Sequence, residues 1–163
     1  MSFKLTIDDK VVDADAGQTL FAVAKNAGIE IPALCHFDGL GDVGACRLCL
    51  VEIEGSPKLF PACTTPAAAN QKVRTTSERL KRYRRMTLEL FFSERNHTCA
   101  VCVANYNCEL QKLAAACGMD SVRFRRLDQA CALDASHPEL VMDHSRCIMC
   151  TRCVRVCDEV EGA

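Results

Sequence analysis

Most cysteines in this chain stand three positions from another cysteine, and they gather into three groups along the sequence. Thiols at that spacing can close a redox disulfide or share a metal. There are 13 of them, an odd number, in 163 residues. Such density belongs either to a disulfide-stapled secreted scaffold or to a metal protein. The N-terminus, MSFKLTIDDK, has no basic stretch leading into an apolar one, so it does not read as a signal peptide. No apolar run approaches the roughly 18 residues that span a bilayer. Metal binding in a reducing cytoplasm, without direct membrane insertion, is the expectation. A net charge of −1 gives no global electrostatic case for nucleic acid. The length fits one ordinary domain or two or three very small ones.

Residues 3–7 and 11–14 read as two strands joined by a turn at Asp8–Asp9. Gly17-Gln18-Thr19 opens a helix carrying Leu20, Val23, Ala24 and Ala27 on one side, which stops at Gly28. Leu48–Ile53 is the strongest strand signal, turned by Gly55-Ser56-Pro57, and residues 72–74 close a small mixed sheet. Thr75-x-x-Glu78 matches a capping box for a helix reaching about Phe92. On that helix Leu80, Tyr83, Met86 or Thr87, and Leu90 recur at helical spacing. Its basic run, RLKRYRR, reads as a solvated face or as a flank beside an anionic cofactor or acidic partner. A short helix covers residues 109–116, and the stretch from Gly118 to His144 is weakly patterned.

The first cysteine group is Cys35-x10-Cys46-x2-Cys49-x13-Cys63. Four thiolates suit zinc or an iron–sulfur cluster. Zinc sites of this type pair two close-spaced knuckles. One close pair with long outer spacings is more typical of a [2Fe–2S] loop. The bound cluster would be a net anion, so backbone N–H groups must face it, and Gly41, Gly44 and Ala45 allow close approach. Arg47 can add positive charge nearby.

The second group is His97-x-Cys99-x2-Cys102-x5-Cys108, whose fourth ligand is either His97 or a more distant thiol such as Cys117. A neutral imidazole in place of a thiolate would raise the reduction potential. The third group is Cys147-x2-Cys150-x2-Cys153-x3-Cys157, the bacterial ferredoxin spacing for a [4Fe–4S] cluster. In two-cluster ferredoxins the fourth cysteine serves the neighbouring cluster, and only DEVEGA follows here. Cys157 either folds back onto the same cluster or leaves the site half supplied; the second is expected, with the chain stopping partway through a two-cluster module. Cys117 and Cys131 read as small buried apolar side chains, and His36 and His144 as surface residues.

These residues, with NHTCAVCVANYNCELQ and RCIMCTRCVRVCDEVEG, resemble the diaphorase small subunit of cytosolic NAD-linked bidirectional [NiFe] hydrogenases. More distantly, they are similar to the N-terminal region of the large iron–sulfur subunit of respiratory complex I, to NAD-dependent formate dehydrogenases and to some iron-only hydrogenases. The resemblance covers essentially the whole chain. It implies an α+β architecture: a β-grasp [2Fe–2S] ferredoxin domain over residues 1–76, a small helical [4Fe–4S] domain over 77–118, and a connecting segment with an incomplete bacterial-ferredoxin-like part over 119–163. It also implies that Cys35, Cys46, Cys49 and Cys63 hold the [2Fe–2S] cluster, and that His97, Cys99, Cys102 and Cys108 hold a [4Fe–4S] cluster. Cys147, Cys150 and Cys153 would hold a ferredoxin-type cluster, with Cys157 serving its neighbour. The complex I relatives place three residues between the histidine and the first cysteine, where this chain has Thr98 alone. The family's second ferredoxin motif is absent from this sequence.

No Rossmann glycine fingerprint, P-loop or Ser/His/Asp arrangement stands out, so no catalytic residue and no NAD or flavin site is assigned to this chain. The function expected is an electron relay between a flavin- and NADH-binding diaphorase partner and the subunits of a [NiFe] hydrogenase. The alternatives are the same relay in complex I or formate dehydrogenase and, from another class, a zinc-binding structural or interaction protein. On its own the chain shows no substrate-converting centre; it would act as one subunit of an oxidoreductase.

Overall fold

The computed structural model describes residues 2–127 and 131–163. The chain divides into two compact units, one made of Met1–Arg84 with Thr151–Ala163, the other of Arg85–Cys150.

The first unit is built on a five-stranded mixed sheet in the order β2-β1-β5-β3-β4. Strands β1 (Ser2–Ile7) and β2 (Lys10–Asp15) form an antiparallel hairpin in which Ile7 faces Lys10. Asp8 and Asp9 both take positive φ, 46° and 66°, the twist a two-residue hairpin needs. Leu5 and Ile7 alternate inward and are almost fully buried. Helix α1 (Leu20–Asn26) follows. The Thr19 side chain accepts from the Ala22 N–H at 3.2 Å. At the other end Gly28 takes φ +69°, the Gly28 N–H returns to the Lys25 carbonyl, and the Ile29 N–H returns to that of Ala24. That glycine-closed double bond is a Schellman stop. Leu20, Val23 and Ala24 join Leu5, Ile7, Ile31, Val51 and Val73 in one apolar core. Each large side chain buried there contributes about 1.5–3 kcal/mol.

Strand β3 (Leu50–Ile53) turns into β4 (Leu59–Pro61), and β5 (Lys72–Arg74) lies parallel to β1 and antiparallel to β3. The strand expected over residues 48–53 therefore begins two residues later. Leu48 is still buried, but its carbonyl accepts from Arg84 Nε at 3.0 Å rather than from a neighbouring strand. Strand β4, three residues ending in proline, was not expected.

Helix α2 (Glu78–Glu94) crosses the boundary between the units. Its cap is not the expected Thr75. Ser77 Oγ accepts from the Leu80 N–H at 3.1 Å, while Thr75 donates its N–H and its hydroxyl to the Asp8 carboxylate. The buried stripe also differs from the expected one. Leu80, Arg84 and Leu88, four apart, are buried, whereas Tyr83 and Leu90 are exposed. The reason is the guanidinium of Arg84. Besides Leu48, it donates to the carbonyls of Leu50 at 2.8 Å and Thr75 at 2.9 Å. The basic run is thus only partly a solvated face: Lys81 and Arg82 are exposed, Arg84 is interior.

In the second unit, Glu89 is fully buried between Arg85 at 2.9 Å and Arg123, whose Nε lies 2.9 and 3.0 Å from its oxygens. Helix α3 (Glu109–Ala116) has the expected bounds, and a two-residue pairing of β6 (Leu133–Asp134) with β7 (Met142–Asp143) gives order to the weakly patterned stretch. The first unit ends in α4 (Arg152–Arg155) and a π-helical turn, Val156–Glu161.

Candidate iron–sulfur sites

Cys35, Cys46, Cys49 and Cys63 are each 2% exposed or less. Local structure brings them together. The Ala62 N–H donates to the Cys49 carbonyl at 2.9 Å, which extends the β3–β4 ladder and sets Cys49 beside Cys63. The first-turn N–H groups of Leu20 and Phe21 in α1 donate to the carbonyls of Thr65 and Ala62, pinning the loop that holds Cys63. Cys35 and Cys46 sit on the loop between α1 and β3. There Gly44 has φ +63°, and a Cβ on it would come within 3.3 Å of the Thr64 side chain. Arg47, next but one after Ala45, is also left-handed at φ 55°.

The sulfurs are in mutual reach. Cys49 Sγ lies 3.4 Å from Cys63 Sγ, well beyond a disulfide bond. Hydrogen bonds from Cys46 and then Cys63 hold the Cys35 thiol well below its usual range, and Cys63 draws Cys49 down to about 7. The contacts with Cys35, together with burial, push Cys46 and Cys63 up. Backbone donors face the same sulfurs. The Leu34 N–H lies 3.3 Å from Cys46 Sγ, and N–H groups of Ala45 and Cys46 address Cys35. A desolvated group of four thiols ringed by N–H dipoles suits an anionic centre. The donor set fits a [2Fe–2S] cluster.

Beside it, the His36 ring is half-buried rather than a plain surface group. Its nitrogens lie 2.8 Å from Asp42 and 3.2 Å from Asp38, and its ring is 4.5 Å from that of Phe21.

The second group is more open. Cys99, Cys102 and Cys108 are all half-buried. Cys99 starts a 3₁₀ turn, Cys99–Val101, and its Sγ lies 3.3 Å from the His97 carbonyl. Cys108 immediately precedes α3. His97 Nε2 is buried and has no hydrogen-bond partner. Burial first, and then the positive charge of Arg146, hold its pKa below the usual histidine value, which favours the neutral ring. A buried imidazole with an unused nitrogen costs free energy unless something binds it, and a metal centre suits that nitrogen. Cys117 stands at the far end of α3 from Cys108, and nine residues of helix rise about 13 Å.

In the third group, Cys147 and Cys150 close the second unit, while exposed Cys153 and Cys157 belong to the last stretch of the first. The Met149 N–H lies 3.3 Å from Cys147 Sγ. Cys131 is half-buried and receives a 3.3 Å contact from Arg95 Nη1. Among the described residues, no three His, Cys, Asp or Glu side chains converge as a single-ion site.

What the sequence reading missed is the support around the first cage. Arg84 stands in the basic run RLKRYRR, and Arg155 is assigned no role by the cysteine spacing. Their only signal was position: Arg84 falls four residues after the buried Leu80.

Residues 1–78 match the family described as the 2Fe-2S iron-sulfur cluster binding domain, and residues 84–123 match the NADH-ubiquinone oxidoreductase-G iron-sulfur binding region. The chain is therefore an iron–sulfur protein, with binding regions for a two-iron and a four-iron cluster. It is 40% identical over 163 residues to an NADH-quinone oxidoreductase subunit of Rhizobium meliloti, a match covering 98% of this chain and 19% of that protein. It is 35% identical over 162 residues to the NADP-reducing hydrogenase subunit HndD of Solidesulfovibrio fructosivorans, covering 96% of this chain and 28% of that one. A chain in the crystal structure of NAD+-reducing [NiFe]-hydrogenase in the H2-reduced state superposes with a TM-score of 0.93 at 40% identity, over 98% of this chain and 67% of that chain. The chain belongs to the family of iron–sulfur subunits that these NAD-linked hydrogenase and NADH-quinone oxidoreductase proteins represent. It spans between about a fifth and about three tenths of the length of the two curated relatives. Among the described residues, no helix is long and apolar enough to cross a membrane.

Proposed function

We propose that this chain is an electron relay in a cytoplasmic NAD-linked [NiFe] hydrogenase, passing electrons between a flavin- and NADH-binding subunit and the hydrogenase subunits. In this reading the first unit is a β-grasp domain whose Cys35, Cys46, Cys49 and Cys63 hold a [2Fe–2S] cluster. His97, Cys99, Cys102 and Cys108 hold a [4Fe–4S] cluster. Cys147, Cys150 and Cys153 contribute to a ferredoxin-type [4Fe–4S] cluster, with Cys157 serving a neighbouring one. When bound, the clusters supply one-electron redox capacity. The residues of the chain fix the centres, exclude water from them and set their potentials through ligand type and N–H donors.

The observation that carries this reading is the buried quartet of thiols, ringed by backbone donors, at the end of the β3–β4 hairpin. The unpartnered Nε2 of His97 supports its role at the second centre over Cys117, which lies a full α3 length from Cys108. Mixing the cluster-loaded chain with its flavin-bearing partner and NADH should bleach the chain's visible absorption. Clusters that stay oxidised while the two proteins remain bound would overturn the relay.

The 40% identity with the Rhizobium meliloti protein favours a second reading, the same relay in a NADH-quinone oxidoreductase. The proteins that co-purify with the native chain separate the two.

A further inference from the structure

Arg155 lies between two cysteines of the third group, yet its side chain serves the first. It is 6% exposed, and its guanidinium donates to the carbonyls of Cys35 and Gly41, both on the loop that carries Cys35. One turn earlier, Arg152 donates to the His36 carbonyl at 2.8 Å and sits over the Phe37 ring, 5.5 Å from its centroid. One turn later, Glu159 accepts from the Gly41 N–H at 2.6 Å. A Cβ on Gly41 would meet that carboxylate at 3.4 Å, so the approach is close. The tail of the chain therefore grips residues 35–41 at four backbone atoms, with two cations and one anion.

We propose that Arg155 is a positioning residue for the [2Fe–2S] centre. Its buried charge raises that centre's reduction potential, and its two-pronged contact holds the Cys35 loop in ligating geometry, with Glu159 opposing the charge effect. The inference rests on the proposed ligand role of Cys35. Reduction adds one electron, and so one negative charge, to a centre that is already anionic with four thiolates. A fixed guanidinium behind the ligand's own carbonyl favours the reduced form, and a carboxylate on the same loop disfavours it. Arg155 is interior, so its effect is weakly screened. Glu159 is exposed and acts more weakly. Lysine in place of arginine keeps the charge but cannot bridge two carbonyls in the same planar fork.

The test is an EPR-monitored redox titration of the full, cluster-loaded chain, with dithionite as electron donor. It compares the parent with Arg155→Gln, Arg155→Lys and Glu159→Gln, and is paired with hydrogen exchange over residues 35–46. The two-iron signal should titrate at a more negative potential in Arg155→Gln and a slightly more positive one in Glu159→Gln. It should stay near the parent in Arg155→Lys, and the signal of the second unit's four-iron centre should be unmoved. Exchange should accelerate in both Arg155 variants. A two-iron potential that ignores both Arg155→Gln and Glu159→Gln, or equal shifts in the lysine and glutamine variants, would overturn the inference. If Arg155→Gln loses the two-iron centre altogether, the opposite shift in Glu159→Gln still decides the charge effect. A parent chain without any two-iron signal would instead sink the ligand assignment itself.

Discussion

The two cysteine cages of this chain solve one problem in different ways. In the first unit the four sulfurs are buried, touch one another and face backbone donors, all on the end of a sheet whose core includes Cys49 and Cys63 themselves. In the second the three sulfurs are half-buried on a turn-rich loop between α2 and α3, and the buried His97 nitrogen has no partner. The first group is gathered by its fold, whereas the proposed centre of the second would have to draw its ligands together. A group that binds only the folded form stabilises it by mass action, so the second unit should lean on its cluster far more heavily.

Several changes would break or sharpen that contrast, beginning with the largest effect. Removal of iron by a chelator should leave the sheet of the first unit protected from hydrogen exchange while residues 97–117 become freely exchanging and protease-sensitive. Equal loss of protection in both units would erase the difference. Ligand substitutions come next. Cys49→Ser should abolish the two-iron EPR signal and Cys102→Ser the four-iron signal of the second unit, each leaving the other intact. His97→Cys should keep a four-iron centre but move it to a more negative potential, since a thiolate replaces a neutral ring.

Smaller effects test the scaffold. Arg84→Met strips donors from three carbonyls, those of Leu48, Leu50 and Thr75. It should cost about 2–4 kcal/mol in chemical denaturation of the first unit. Glu89→Gln in the second unit should cost about 1–3 kcal/mol, because the Arg85 and Arg123 bonds lose their charge. Burial alone would raise the Glu89 pKa, but its arginine partners more than offset this and hold it below the usual value. Its stabilisation is therefore present above the unfolded carboxylate pKa of about 4 and is lost as pH falls through the lower folded one. Denaturation across that acid range should show a slope that Glu89→Gln flattens. Least of all, Thr19→Ala should cost about 1 kcal/mol by removing the cap of α1.

Local signals in the sequence were readable and long-range ones were not. The Asp8–Asp9 turn, the Thr19 and Gly28 ends of α1, strand β5 and helix α3 all announce themselves within a few residues. Thr75 was misread as a cap because its hydroxyl is taken by Asp8, 67 positions away. The inward face of α2 was misread because an arginine occupies it, stabilised by carbonyls on a loop and a strand that no helical periodicity can foresee. The cysteine spacing pointed to the first cage, yet the guanidinium of Arg155 behind Cys35 comes from 120 positions further on. His97 could be weighed against Cys117 only once the free nitrogen of one and the helix-length separation of the other were visible.

The most direct measurement is quantitative EPR, with iron and acid-labile sulfide analysis, on the anaerobically prepared, dithionite-reduced chain. The account predicts one two-iron signal that vanishes with Cys49→Ser and a four-iron signal that is lost or altered with His97→Ala but survives Cys117→Ser. A folded protein that contains zinc and no sulfide, or whose second centre needs Cys117 and ignores His97, would contradict it.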